Sequence, residues 1–151
     1  MRARRSGWRQ RGAAALEFAL VAPVLLLMML GMIDFGLRLN AEAVVANAAR
    51  DGARVASLGG DSGQVKAAAL KSSYSSATVK VDCLLSTDLA TACDNGATYD
   101  VARTDKKTTS NVARVTVSYT YSYITPLANW IGLSSTANIA KVSYMRIEGV
   151  S

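Results

Sequence analysis

The longest apolar stretch of the chain lies near its N-terminus, where residues 13–33 contain a single charged side chain, Glu17. A helix of this length, at about 1.5 Å of rise per residue, spans roughly 30 Å, the thickness of the hydrocarbon core of a bilayer. Its central part, residues 25–30, is apolar on every side, which is typical of a helix that faces lipid. The pattern therefore predicts one membrane-spanning helix.

The pattern then changes to that of an amphipathic helix. Small and apolar residues recur at helical spacing and form a stripe along one side: Ala41, Val44, Val45, Ala48, Gly52 and Val55. Gly59 and Gly60 follow, as at a typical helix C-terminus. We expect a single helix over residues 13–58, with the stripe packed on the protein's own globular domain in preference to a partner helix. Asp34 and Arg38 have the spacing of a favourable ion pair on its surface.

The remaining residues, 59–151, show the pattern of a small domain with both helix and strand. Asp61 can cap a short helix over residues 64–71. Two-residue alternation predicts three strands: Thr78–Leu85, Asn111–Ile124 and Ala137–Glu148. We expect the last two to form a long antiparallel pair, residues 97–110 to form a solvated loop, and residues 127–132 to form a short apolar turn. The predicted fold class is α+β, with a long N-terminal α-helix, half transmembrane and half amphipathic, packed on a small antiparallel β-sheet domain.

The charge of the chain is concentrated in its first twelve residues. The formal net charge is +6 and the isoelectric point is about 9.6, values that suggest a nucleic-acid partner. Five of the 17 basic residues, however, precede Ala13, where there is no acidic residue: Arg2, Arg4, Arg5, Arg9 and Arg11. From Ala13 onward 12 basic residues face 11 acidic ones, a net +1, so no nucleic-acid binding is expected. By the positive-inside rule the arginines place the N-terminus in the cytoplasm, and the rest of the chain is exported.

The residue inventory argues against an enzyme and against a metal or cofactor site. The chain has no histidine, which removes the usual general base and the commonest zinc ligand, and we find no glycine loop of the phosphate-binding kind. Cys83 and Cys93 lack further soft ligands for a metal, and their spacing is not that of a redox C-x-x-C pair. An even pair of cysteines in an exported domain predicts a structural disulfide.

Glu17 is the residue that most needs an explanation. A charged carboxylate inside a bilayer costs roughly 2.5–3.5 kcal/mol on insertion scales. If the chain were cut between Gly12 and Ala13, a new α-ammonium group would appear four residues before Glu17 and could pair with it, in the same chain or in a neighbouring subunit. Pro23 interrupts the same segment and predicts a kink, which either lets subunits pack or is simply tolerated.

Three runs of this sequence together resemble the TadE-like family of tight-adherence pilus systems. They are RGAAALEFALVAP at 11–23, GMIDFG at 31–36 and ANAARDGAR at 46–54. A basic leader ending in glycine, followed by an apolar helix with glutamate as its fifth residue, is more broadly similar to type IV prepilins. The resemblance implies that Gly12 and Ala13 flank a prepilin peptidase cut, that Glu17 registers subunits, and that Phe18 is the aromatic residue of the motif.

By this resemblance the protein is a minor pilin or pseudopilin that acts in assembling a tight-adherence pilus for surface attachment and biofilm formation. Its expected partners are a prepilin peptidase, other pilin or pseudopilin subunits, the inner-membrane pilus platform and the lipid bilayer. The implied organisation is a cytoplasmic leader over 1–12, a transmembrane and stalk helix over 13–58, and an exported domain over 59–151. Two alternatives stay open: a periplasmic binding module held by an uncleaved signal anchor, and a secretory signal peptide cleaved near residues 41–43.

Overall fold

Eight elements follow one another along the chain in the computed structural model, which describes residues 7–93, 99–102, 111–125, 127–130, 132 and 134–148, with only the backbone for 7–11, 101–102, 127 and 128. The helices are α1 Gly7–Ser57, α2 Ser62–Lys71, α3 Tyr99–Ala102 and α4 Leu127–Trp130. The strands are β1 Thr78–Leu85, β2 Asp88–Ala92, β3 Asn111–Ser122 and β4 Thr136–Arg146. The predicted α+β class is confirmed.

The elements belong to two compact units. One unit comprises Met1–Leu37 and Tyr123–Ser135, and the other comprises Arg38–Ser122 and Thr136–Ser151. Helix α1 contributes its first part to one unit and its second part to the other, so its two halves have different surroundings. The unit that begins at Arg38 contains the sheet and the buried core.

The sheet is antiparallel throughout, with strand order β2-β1-β3-β4. Strand β1 has the predicted bounds and pairs with β3 over its whole length, from Thr78 opposite Ser118 to Leu85 opposite Asn111. The predicted long antiparallel pair is present as β3 and β4, which pair from Val112 opposite Arg146 to Ser122 opposite Thr136. Sequence alternation was a clear signal for β3, because alternate residues over most of that strand are buried.

The second half of α1 covers this sheet with small side chains. Its fully buried residues are Ala41, Val45, Ala48, Ala49, Ala53 and Ala56, each at most 1% exposed. Val115 and Val117 of β3 and Val65 and Ala69 of α2 are also 0% exposed, and a Cβ at Gly52 of α1 would lie 3.1 Å from Cγ1 of Val115 and 3.2 Å from Cβ of Ala69. The prediction that the stripe packs on the protein's own domain is confirmed. The buried line runs along Ala49, Ala53 and Ala56, while Val44 and Val55 are only half-buried.

The predicted cap of the short helix is present and is more complete than expected. The Asp61 side chain accepts a hydrogen bond from the backbone N–H of Gln64 at 2.8 Å, and the Gln64 side chain accepts one from the N–H of Asp61 at 3.1 Å. This reciprocal capping box satisfies two N–H groups that the first turn of a helix leaves without partners. Helix α2 therefore begins at Ser62, two residues before the predicted start.

The prediction of a solvated loop over residues 97–110 is wrong for its described part. Tyr99 lies in α3 and is 3% exposed, and its hydroxyl donates to the carbonyls of Ala56 at 3.2 Å and Gly60 at 2.8 Å. The Asp100 carboxylate accepts from the backbone N–H of Ser62 at 2.7 Å. Tyr99 thus fixes the C-terminal end of α1. The sequence around Tyr99 is mostly polar, so it gave no indication of this long-range contact. Residues 97, 98 and 103–110 lie outside the described residues.

Other elements differ from the predictions in detail. Strand β2 was not predicted, because its five residues are all exposed and carry no apolar alternation. Helix α1 begins at Gly7 and not near residue 13, and β3 ends at Ser122. In β4, Ile139 is buried but Met145, which two-residue alternation puts on the same face, is 38% exposed.

Candidate functional site

The first half of α1 presents an apolar surface that the rest of the chain does not cover. Between Gly12 and Ile33, all of which the structure describes, no residue is buried. The exposed fractions of the large side chains there include 71% for Phe18, 59% for Leu25 and 57% for Met28. The helix is long and apolar enough to cross a membrane, with a mean hydropathy of 2.3 in its most apolar window. A surface of this kind is unfavourable in water, so the segment fits a membrane anchor.

Gly12, Ala13, Glu17 and Phe18 all lie on this exposed part of α1. Residues four apart are neighbours on a helix surface, about 5–6 Å between Cβ atoms, so the backbone of Ala13 and the side chain of Glu17 share one face. Among the residues that the structure describes, Glu17 has neither a hydrogen-bond partner nor an ion-pair partner. The carboxylate therefore remains available to a group from outside the described chain.

Pro23 lies inside α1, which is helical on both sides of it. Proline has no N–H, so the carbonyl of Ala19 lacks its usual helical donor. In lipid such a carbonyl is satisfied by a neighbouring helix or a local readjustment. The kink at Pro23 stays a prediction, and the structure shows only that the helix continues through the residue.

Asp34 follows the apolar segment directly, and it is only 7% exposed. Its carboxylate accepts hydrogen bonds from the backbone N–H of Ile124 at 3.1 Å and of Thr125 at 3.3 Å, and from the Thr125 hydroxyl. Three donors satisfy a buried carboxylate that would otherwise be costly. The sequence suggested only a surface pair with Arg38, because partners about 90 positions away leave no local signal.

The loop that binds Asp34 is closed at its base. The backbone N–H of Tyr123 donates to the carbonyl of Ser135 at 2.9 Å. The loop between them, which we call the exit loop (residues 123–135), includes α4 and belongs to the same compact unit as the first half of α1. The exit loop is the part of the site that sequence reasoning missed. The signal for it in the sequence was Asp34, an isolated carboxylate at the end of a long apolar run.

The second half of α1 carries a separate charged cluster. The Glu42 carboxylate accepts a hydrogen bond from Nζ of Lys141 at 2.9 Å and lies 3.6 Å from Nε of Arg38. The hydrogen bond and charge of Lys141, with a smaller effect of Arg38, lower the pKa of Glu42 below its ordinary value of 4.5. A cavity of about 410 Å³ opens beside this cluster, and Ala46, Arg50 and Ser143 are among its lining residues. It is the candidate ligand site of the alternative function, a binding module.

The two cysteines are joined in a disulfide within the sheet unit. The Cα atoms of Cys83 and Cys93 are 5.4 Å apart, within the usual range for this bond. Both residues are nearly fully buried, and the N–H of Cys93 donates to the carbonyl of Cys83 at 3.0 Å. The bond closes the β1–β2 hairpin, whose outer strand is exposed throughout. It thus secures an edge strand of the sheet whose residues are all exposed.

Comparison with known proteins gives one match. A family described as TadE-like protein matches residues 12–54. The match covers Glu17 and Asp34 and reaches into the buried half of α1. No curated protein and no solved structure matches the chain. The match therefore lies within α1, and none of the comparisons bears on the sheet domain that follows it.

Proposed function

Because residues 12–54 of this chain are TadE-like, we propose that it is a minor pilin or pseudopilin of a tight-adherence pilus. A prepilin peptidase cuts it between Gly12 and Ala13 and removes the basic leader, residues 1–12. The helix over residues 13–58 then holds the subunit in the inner membrane, with its N-terminus cytoplasmic and residues 59–151 exported. The subunit joins other pilin-type subunits at the membrane platform, and the pilus serves surface attachment and biofilm formation.

The observation that carries this proposal is the position of Glu17. It is the one charged residue of the apolar segment, it is exposed, and it lies one helical turn beyond Ala13. A plain anchor gains nothing from a carboxylate that costs roughly 2.5–3.5 kcal/mol to insert. Once Ala13 is the N-terminus, the cost is offset by an α-ammonium group nearby and by the positive end of the helix dipole.

The same carboxylate can set the register between subunits. The exposed apolar surface of residues 12–33 allows two helices to pack in many relative positions, because hydrophobic attraction is non-directional. A charge pair in lipid tolerates it poorly, since an unpaired charge is far more costly there than in water. Pairing Glu17 of one subunit with the amino group of the next therefore favours one axial offset.

Gly12 suits the proposed cut because it weakens the helix where the protease must act. The residue lies within α1, and a Cβ placed on it would meet no atom within 4 Å, so close packing does not account for the glycine. Glycine inside a helix is less stable than alanine by roughly 0.5–1 kcal/mol. The local cost of unwinding the scissile bond is correspondingly lower.

Processing is tested by the intact mass of the protein extracted from the membranes of a host with a prepilin peptidase. We expect a chain that begins at Ala13, and a chain that begins at Met1 in a peptidase-deficient host. A mature N-terminus near residues 39–44 would indicate a cleaved signal peptide. An intact Met1 in the proficient host, together with normal filaments, would exclude the pilin proposal.

Assembly is tested by Glu17→Gln and Glu17→Leu, with Glu17→Asp as the matched control that keeps the charge. We expect both uncharged variants to be inserted and processed but absent from filaments, and the Asp variant to retain a substantial part of assembly. A membrane-anchored binding module that used the cavity beside Glu42 would be unaffected by all three changes. Normal filaments from Glu17→Leu would contradict the proposed role of the carboxylate.

A further inference from the structure

The exit loop has a composition unlike that of the rest of the exported part. Its thirteen residues contain no Asp, Glu, Lys or Arg, although 19% of the chain is charged. Six of them are apolar: Ile124, Leu127, Ala128, Trp130, Ile131 and Leu133. A loop in water is normally polar, because apolar side chains that stay in contact with water contribute no hydrophobic stabilisation. The composition of this loop therefore suits surroundings that contain less water than the bulk solvent.

Two large apolar side chains of the exit loop, those of Ile124 and Trp130, are exposed. Ile124 is 73% exposed and Trp130 is 78% exposed, the highest exposed fraction among the large apolar residues that the structure describes. Thr125, next to Ile124, is by contrast buried, at 9% exposed. The loop thus turns a polar group inward and apolar groups outward, the reverse of the usual arrangement for a soluble domain.

Asp34 fixes the loop at the level where α1 leaves the apolar segment. The carboxylate stands immediately after Ile33, the last residue of the apolar run, and it holds the backbone of Ile124 and Thr125 by two N–H donors. With residues 13–33 spanning the roughly 30 Å hydrocarbon core, Asp34 lies at its edge. The exit loop is therefore held where lipid headgroups meet the acyl chains.

We infer that the exit loop is a second membrane contact, in which Trp130 and Ile124 insert into the interface of the leaflet through which α1 leaves. The inference rests on the membrane-spanning helix of the proposed function and adds a residue-level role to it. Tryptophan favours this depth because its ring is apolar and its N–H can still reach water or headgroups. With no charge in the loop, the contact does not depend on acidic lipids.

The experiment measures the depth of Trp130 in vesicles by fluorescence quenching. The full-length chain with Trp8→Phe leaves Trp130 as the single tryptophan. Two reference chains carry Trp8→Phe and Trp130→Phe together with either Met28→Trp, in the middle of the apolar segment, or Phe35→Trp, at its exit; both positions are exposed. Spin-labelled lipids with labels at the headgroup or deep in the acyl chain, and aqueous iodide, are the quenchers.

We expect the shallow label to quench Trp130 as strongly as it quenches the tryptophan of the Phe35→Trp reference. The deep label should quench Trp130 less than the tryptophan of the Met28→Trp reference, and iodide should quench Trp130 only weakly. Replacing zwitterionic by acidic lipid should leave this pattern unchanged. Strong iodide quenching of Trp130 without lipid quenching, while both references are quenched by lipid, would overturn the interfacial contact alone. Protection from both quenchers would overturn it in favour of a protein partner. Failure of the Met28→Trp reference would overturn the membrane span itself.

The role of the Asp34 attachment is read from a second pair of variants in the single-tryptophan chain. Thr125→Val removes the hydroxyl donor to Asp34, and Asp34→Asn removes one charged acceptor. We expect both to reduce shallow-label quenching of Trp130. The matched control is Thr120→Val, at an exposed threonine of β3, which should leave the quenching unchanged. Unchanged quenching in Asp34→Asn and Thr125→Val would contradict a loop held at this depth by Asp34.

Discussion

At the scale of single residues, two carboxylates on one helix have opposite surroundings. Glu17 is exposed within the apolar segment and has no partner among the described residues, whereas Asp34 is buried and accepts three hydrogen bonds. An acidic side chain is stable near lipid only with donors or an opposite charge close by. Asp34 finds its donors within its own chain. Glu17 needs a donor from outside it, and this difference separates a structural carboxylate from the one that we assign to assembly.

The disulfide is also a residue-scale feature, and its contribution can be measured. Joining Cys83 to Cys93 closes a short loop of the unfolded chain, so replacing both by serine should lower the free energy of unfolding by about 2–3 kcal/mol on the chain-entropy estimate. The measurement is denaturant unfolding of the full-length protein in detergent micelles, followed by tyrosine and tryptophan fluorescence. Reductant should destabilise the natural chain to a similar extent and leave the double variant unchanged. A natural chain insensitive to reductant under unfolding conditions would contradict the prediction.

At the scale of elements, α1 is one helix with two kinds of surface. Its first half exposes Leu, Met and Phe side chains, and its second half buries a row of alanines against β3 and α2. Both halves are predicted to be helical from the sequence, because hydrophobic periodicity and helix propensity are local properties. Alanine and glycine in the second half bring the helix backbone close to the sheet. The large side chains of the first half match lipid, where no such close approach is needed.

Gly52 lies where α1 packs tightly on its own domain. A Cβ there would lie 3.1 Å from Cγ1 of Val115 and 3.2 Å from Cβ of Ala69. We expect Gly52→Val to lower the free energy of unfolding by about 1–3 kcal/mol, the usual cost of overpacking a core. Gly36→Ala is the matched control, because a Cβ at Gly36 meets nothing within 4 Å and alanine favours the helix. Equal stability of the Gly52→Val and natural chains in denaturant unfolding would show that α1 does not pack this closely.

At the scale of the whole molecule, charge is divided between a basic leader and a nearly neutral remainder. The first twelve residues carry five arginines, and the rest carries a net +1. We predict that the full-length chain is retained on a heparin column at low salt and that a chain beginning at Ala13 is not, because polyanion binding follows the number of clustered cations. Equal retention of the two chains across a salt gradient would reveal a basic surface within residues 13–151 and contradict this prediction.

Much of the fold could be predicted from the sequence, and the misses have two causes. The membrane-length helix, the capped α2 and the long β3–β4 pair have strong local periods or caps. The missed features are β2, the buried Tyr99 and the exit loop on Asp34. Strand β2 is exposed on every residue, and the other two depend on contacts between residues about 40 to 90 positions apart. Of the candidate site, Glu17 was predicted from its isolation in an apolar run, but the partner of Asp34 was not.

The sequence by itself determined the apolar span, the position of Glu17 within it, the α+β class and the pairing of two cysteines, because each depends on composition or spacing along the chain. Only the tertiary structure decided which carboxylate is satisfied and which is not. That outcome depends on donors brought from distant residues, and a hydrogen bond is directional and short, so no local pattern records it. The attachment of an uncharged, tryptophan-bearing loop to Asp34 belongs to the same class of long-range result.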